Sequence, residues 1–125
     1  WVDKGAPNAK MKKYLETLHG KKVVLFQTLG ADPASDHAVS SLVNAGVLMN
    51  NDCKVLGTLS IRGAIDPALI AMMRKMPAGS PHSPSPESEA RWAAAASHPD
   101  AADLAKAKSF MQGFLAMYDK FLKMM

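Results

Sequence analysis

Cysteine is nearly absent, with Cys53 standing alone among 125 residues. It has no internal disulfide partner, so a reducing cytoplasm is the expected compartment. No apolar run approaches the roughly 20 residues that span a bilayer, so no membrane partner is expected. The opening residues do not read as a basic-then-apolar leader. Arginine forks, RNA-stacking motifs and zinc-finger spacings are also missing, which argues against a nucleic-acid partner. So are a Walker A loop, a G-x-G-x-x-G turn and a G-x-S-x-G elbow. No catalytic residue is assigned. His19, His82 and His98 sit in turns without metal-ligand spacing, so no metal is expected. The length allows one domain with a real core.

What is present begins with charge. Residues 1–22 hold six lysines against Asp3 and Glu16, which already equals the whole chain's net +4. Met11, Tyr14, Leu15 and Leu18 fall at helical spacing there, after a Pro7-Asn8 entry. The lysines face the other way and read as a solvated surface. Gly20 is the expected residue just past the helix end.

Val23-Val24-Leu25-Phe26 is apolar without alternation, the pattern of a strand buried on both faces in a parallel sheet. The strand is expected over 23–28. A helix capped by Ser35 or Asp36 follows to about Met49, with Ala38, Val39, Leu42, Val43 and Gly46 inward. Asn50-Asn51-Asp52 is a turn, and Val55–Ile61 a second strand. Together they make a βαβ unit. Asp66 caps a third helix with Pro67 at its first position and Ile65 stapled to Ile70. Leu69, Met72, Met73 and Met76 form its buried stripe.

Residues 77–86, PAGSPHSPSP, form a proline- and serine-rich connection between a 1–76 βαβ portion and C-terminal helices over 87–125. Ser85-Pro86-Glu87 opens a short helix and His98-Pro99-Asp100 a long one. The long helix runs about 25 residues, roughly 37 Å. Its stripe reads Leu104, Ala107, Met111, Phe114, Tyr118, Phe121, Met125, widened by Phe110, Leu115 and Leu122. The helix over 99–125 is long enough to overhang the domain and associate with a partner.

Two parallel strands do not make a free-standing sheet. Together with a start at Trp1, this predicts that the first half of a larger α/β domain precedes the chain. It also predicts exposed apolar surface beside the first strand.

Ligands of open parallel sheets bind beyond the carboxyl ends of the strands. Three glycine corners share that edge: Trp1-Val2-Asp3-Lys4-Gly5, Thr28-Leu29-Gly30-Ala31-Asp32 and Ser60-Ile61-Arg62-Gly63-Ala64. A glycine lets backbone N–H groups approach a flat ligand. Trp1 offers an aromatic face. Each corner taken singly also reads as a plain turn.

At these residues the sequence resembles a known family. WVDKG, KKVVLFQTLGADPASDHA, VLGTLSIRGAIDPALIAMMRKMP and SHPDAADLAKAKSF resemble, in order, a branch of flavodoxin-like proteins of anaerobic gut bacteria. That branch includes the flavodoxin companion of bacterial bilirubin reductase. The resemblance covers roughly residues 1–115. It implies an α/β fold, the C-terminal part of a doubly wound parallel sheet with two strands and about five helices. It also implies FMN as cofactor, electron transfer to a reductase partner, and a phosphate-binding loop ahead of Trp1. Trp1 to Gly5 matches the loop flanking the flavin ring, and Thr28 to Asp32 the loop at its pyrimidine edge. Without the phosphate loop, FMN binding by these 125 residues is expected to be weak or absent. The alternative is a partner-binding module that keeps the fold without flavin. A receiver domain shares the strand order but ends its last strand in Lys-Pro, where this chain has Arg62-Gly63.

Overall fold

A computed structural model describes residues 1–80 and 82–125. Pro81, inside the proline-serine connection, lies outside the described residues. The elements run β1 (Val2–Asp3), β2 (Ala6–Pro7), α1 (Ala9–Glu16), β3 (Lys22–Leu29), α2 (Asp36–Gly46), β4 (Lys54–Arg62), α3 (Pro67–Met73), α4 (Pro86–Ala95) and α5 (Ala101–Met124). Five helices and the β3–α2–β4 unit match the sequence reading.

β3 and β4 pair in parallel from Lys22↔Lys54 to Leu29↔Arg62. A bulge between Val23 and Val24 skips Leu56 on the partner strand. Alternation along the strands sorts their side chains onto two faces. Leu25 and Gln27 face α2: Leu25 approaches Gly46, and Gln27 Nε2 donates to the Ala38 carbonyl at 2.8 Å. The same amide donates to Ser60 Oγ at 2.8 Å, so one buried glutamine ties both strands to the helix. Gly57 faces the other way, where Phe110 and Phe114 of α5 fill the space a side chain would take. Helices therefore cover both faces, as a doubly wound α/β arrangement requires.

The caps follow the sequence. Asn8, Ser35, Asp66, Ser85 and Asp100 each accept a backbone N–H from the first turn of their helix. Pro67 and Pro86 sit at helix starts, where their missing N–H costs nothing.

Several expectations are corrected. Trp1–Gly5 is not a bare loop: it begins a hairpin pairing Val2 with Pro7 and Asp3 with Ala6. Its two-residue turn has φ of 51° at Lys4 and 77° at Gly5, the left-handed pair of a type I′ turn. There are thus two two-stranded sheets. Gly20 has positive φ, yet α1 already ends at a Thr17 cap. On α2 the inward residues are Ala38 and Ser41, while Val39 and Val43 are exposed. Small side chains let the helix lie close enough for Gln27 to reach its backbone. On α3 only Met73 is buried, and Leu69 and Met72 are exposed. On α1 only Leu15 is buried, and Met11 and Tyr14 are exposed.

β3 is not buried on both faces. Phe26 is 59% exposed, on the α5 side, where α5 covers β4 rather than β3. Exposed apolar surface beside the first strand was the expectation. α5 has no buried residue at all. Asp103, Ala107, Phe110, Phe114 and Tyr118 are its half-buried line. Leu104, Met111, Leu115 and Leu122 lie on an exposed flank. Among the described residues, no helix is long and apolar enough to cross a membrane.

Candidate functional site at the strand ends

β3 delivers Thr28 to Asp32 at its carboxyl end, and β4 delivers Arg62 and Gly63 beside it. The Gly63 N–H donates to the Leu29 carbonyl at 2.9 Å, extending the ladder into both corners. Arg62 Nε donates to the Gly30 carbonyl at 3.3 Å, and its Nη2 reaches the Arg91 carbonyl of α4. Arg62 thus clips the corners together and to the C-terminal helices.

All three glycine corners do converge, but they converge on one another. Beside Gly63, a Cβ would meet the Trp1 ring at 3.0 Å. At Gly30 it would meet Ile65 at 2.5 Å. At Gly5 it would lie 3.5 Å from the His37 ring, an ordinary contact. The Ile65 side chain lies over Gly30. Asn44 Nδ2 donates to the Gly5 carbonyl at 2.8 Å and holds the hairpin against α2. Gly30 and Gly63 therefore make room for side chains of this chain, while Gly5 serves the left-handed turn.

The individual residues divide in three ways. Leu29 is 2% exposed and belongs to the core. Asp32 is a turn residue: its carboxylate accepts the Ala34 N–H at 2.8 Å, and its carbonyl accepts the Ser35 hydroxyl at 2.6 Å. Trp1 is 52% exposed with one face on Gly63, so its other side is open. Val2, Gly5, Thr28, Gly30 and Ala31 are half-buried, and Asp3 and Lys4 are exposed. What the edge offers a flat ligand is one aromatic wall and turn backbones. The glycine recesses an FMN ring would use are already filled, so these residues do not by themselves fit the cofactor.

The neighbouring His98, Asp100 and Asp103 place ligand atoms within 4.8 Å of one another, a closeness the search for metal spacing missed. They are spoken for by the start of α5. Asp103 Oδ2 accepts the Asp100 N–H at 2.9 Å and meets His98 Nδ1 at 2.6 Å. Asp100 accepts the Asp103 N–H in return, closing a capping box. The His98 bond, then the Asp100 N–H, holds the Asp103 carboxyl below the usual aspartate range. The Ala64 N–H donates to the His98 carbonyl at 2.7 Å, so this cap also anchors the β4 corner. Sequence reasoning missed Gln27 and Asn44, and placed Arg62 in the third corner without giving it the role of a clip. Their one signal is a polar side chain inside or beside an apolar strand or helix.

A parallel β–α–β unit with helices on both faces and converging corners at its carboxyl edge defines a doubly wound α/β protein. The chain belongs to the flavodoxin domain family, which its residues 1–112 match. It is similar to the flavodoxin-like domain-containing protein BilS of Clostridioides difficile (strain CD3), with 28% identity over 116 residues. That match covers 92% of this chain and 66% of BilS, so the chain spans just under two thirds of its relative.

Proposed function

We propose that this chain is a partner-binding module of an electron-transfer system, keeping the flavodoxin fold and docking on a reductase of the bilirubin-reductase type. One observation carries the reading. Nine apolar residues are buried, while nineteen large apolar side chains are exposed among the described residues. A monomer that works alone does not keep such a balance. The exposed set includes Phe26 of β3 and, at helical spacing on one side of α5, Leu104, Met111, Leu115 and Leu122. The test is calorimetric titration of the purified reductase with this chain. Replacing Met111 and Leu115 together by Lys weakens binding at least about tenfold while the helical circular dichroism stays unchanged, because a charge enters a desolvated contact. Unchanged affinity overturns the proposal.

A flavin role is favoured by one further feature, the half-open Trp1 ring at the strand ends. On this reading Trp1 supplies a stacking wall, with Thr28 to Asp32 beside it, and a second wall comes from outside these residues. FMN titrated into this chain alone is expected to keep its fluorescence unquenched. Tight stoichiometric quenching would show that the chain holds the cofactor unaided.

A further inference from the structure

A groove of about 410 Å³ opens at the opposite end of the sheet, where β3 and β4 begin. Leu56, the residue skipped by the bulge, lines it with Phe114, Met117 and Phe121 of α5. Lys22 and Lys54 line it as well. The α5 residues of the lining lie beyond residue 112, outside the stretch that matches the flavodoxin domain. The groove therefore joins strand starts inside that stretch to the end of α5 beyond it.

We propose that this groove binds an amphipathic carboxylate, its apolar chain on Leu56, Phe114, Met117 and Phe121 and its carboxylate between Lys22 and Lys54. The volume falls in the range of small-molecule sites, about 300–1,000 Å³, and so does the chemistry: an apolar lining with few placed polar groups. The two lysines are direct register partners on neighbouring strands. Like charges so placed repel. Among the described residues neither has an acidic partner. The Lys22 ammonium sits 5.9 Å from the centre of the Tyr118 ring, another residue of the lining. An anion relieves the repulsion; a cation or a second copy of this chain, which brings the same lysines, adds to it.

Isothermal titration with dodecanoate, kept below its micelle concentration, tests the proposal, with dodecyltrimethylammonium as the cationic counterpart. One dodecanoate per chain is expected, with the cation at least about tenfold weaker. Lys22→Gln with Lys54→Gln weakens dodecanoate about tenfold, and the Lys→Arg pair restores it. Phe121→Glu abolishes binding; the position is exposed, so folding tolerates it. Equal binding of both amphiphiles, several molecules per chain, or full affinity in the Phe121→Glu protein overturns it. So does self-association that competes with dodecanoate. The groove lies at the far end of the strands from Trp1 and Gly30, so FMN titration should ignore Phe121→Glu.

Discussion

Gly30 and Ile65 form the tightest glycine approach in the structure, with a virtual Cβ 2.5 Å from Ile65 Cγ1. Gly30→Ala is expected to lose about 1–3 kcal/mol in urea unfolding, because the added methyl overpacks the corner. In an Ile65→Ala background the same methyl should cost little, since the obstructing atoms are gone. Equal losses in both backgrounds would mean that Ile65 does not occupy the glycine recess. Burial sets a second contrast. Leu29 is 2% exposed and Phe26 is 59% exposed. Leu29→Ala should cost about 2–5 kcal/mol, and Phe26→Ala well below the roughly 3–5 kcal/mol of a buried phenylalanine. Glycine in TLGADP reads in sequence as room for a ligand. The structure fills that room with a side chain more than thirty residues downstream, which no local pattern announces.

Among the elements, α5 carries the clearest pH dependence. The Asp103 carboxyl is held below its ordinary value, first by His98 and then by the Asp100 N–H. A depressed carboxylate contributes stability that is fully present above its unfolded pKa, near 4. The contribution is lost as pH falls through the lower folded value. Urea midpoints should therefore drop below about pH 4, and Asp103→Asn should flatten that limb. A limb unchanged by Asp103→Asn would assign the acid sensitivity elsewhere. For α2, Ser35 Oγ accepts the Ala38 N–H, and Ser35→Ala should cost about 1 kcal/mol of unfolding free energy. Caps such as these were legible because they depend on four adjacent residues. Helix faces were less so. Val39 and Val43 share helical spacing as well as Ala38 and Ser41 do, and only the depth of Gln27 decides which pair turns inward. The β1–β2 hairpin escaped notice because each strand is two residues long.

As a whole molecule, the chain leaves much of its apolar surface to be covered. Two paired strands make a marginal sheet on their own, so a partner that covers β3 and α5 should add stability by mass action. Saturating reductase is expected to raise the thermal midpoint of the chain, read by differential scanning fluorimetry. A midpoint indifferent to the reductase would separate the exposed flank from that partner.

The order of the five helices, the parallel βαβ unit, the caps and the three glycine corners follow from the sequence by itself, because each rests on periodicity or on the chemistry of a few neighbours. The flavodoxin resemblance was legible for the same reason, through collinear corners. Only the tertiary structure decided what those corners do. Trp1 lies on Gly63 and Ile65 on Gly30, so these glycines serve close packing between distant segments, while Gly5 serves the turn its positive φ requires. It also decided that Phe26 stays open and that α5 meets the sheet through Phe110 and Phe114. Both outcomes depend on which strand each helix covers, a relation between surfaces that no window of adjacent residues contains.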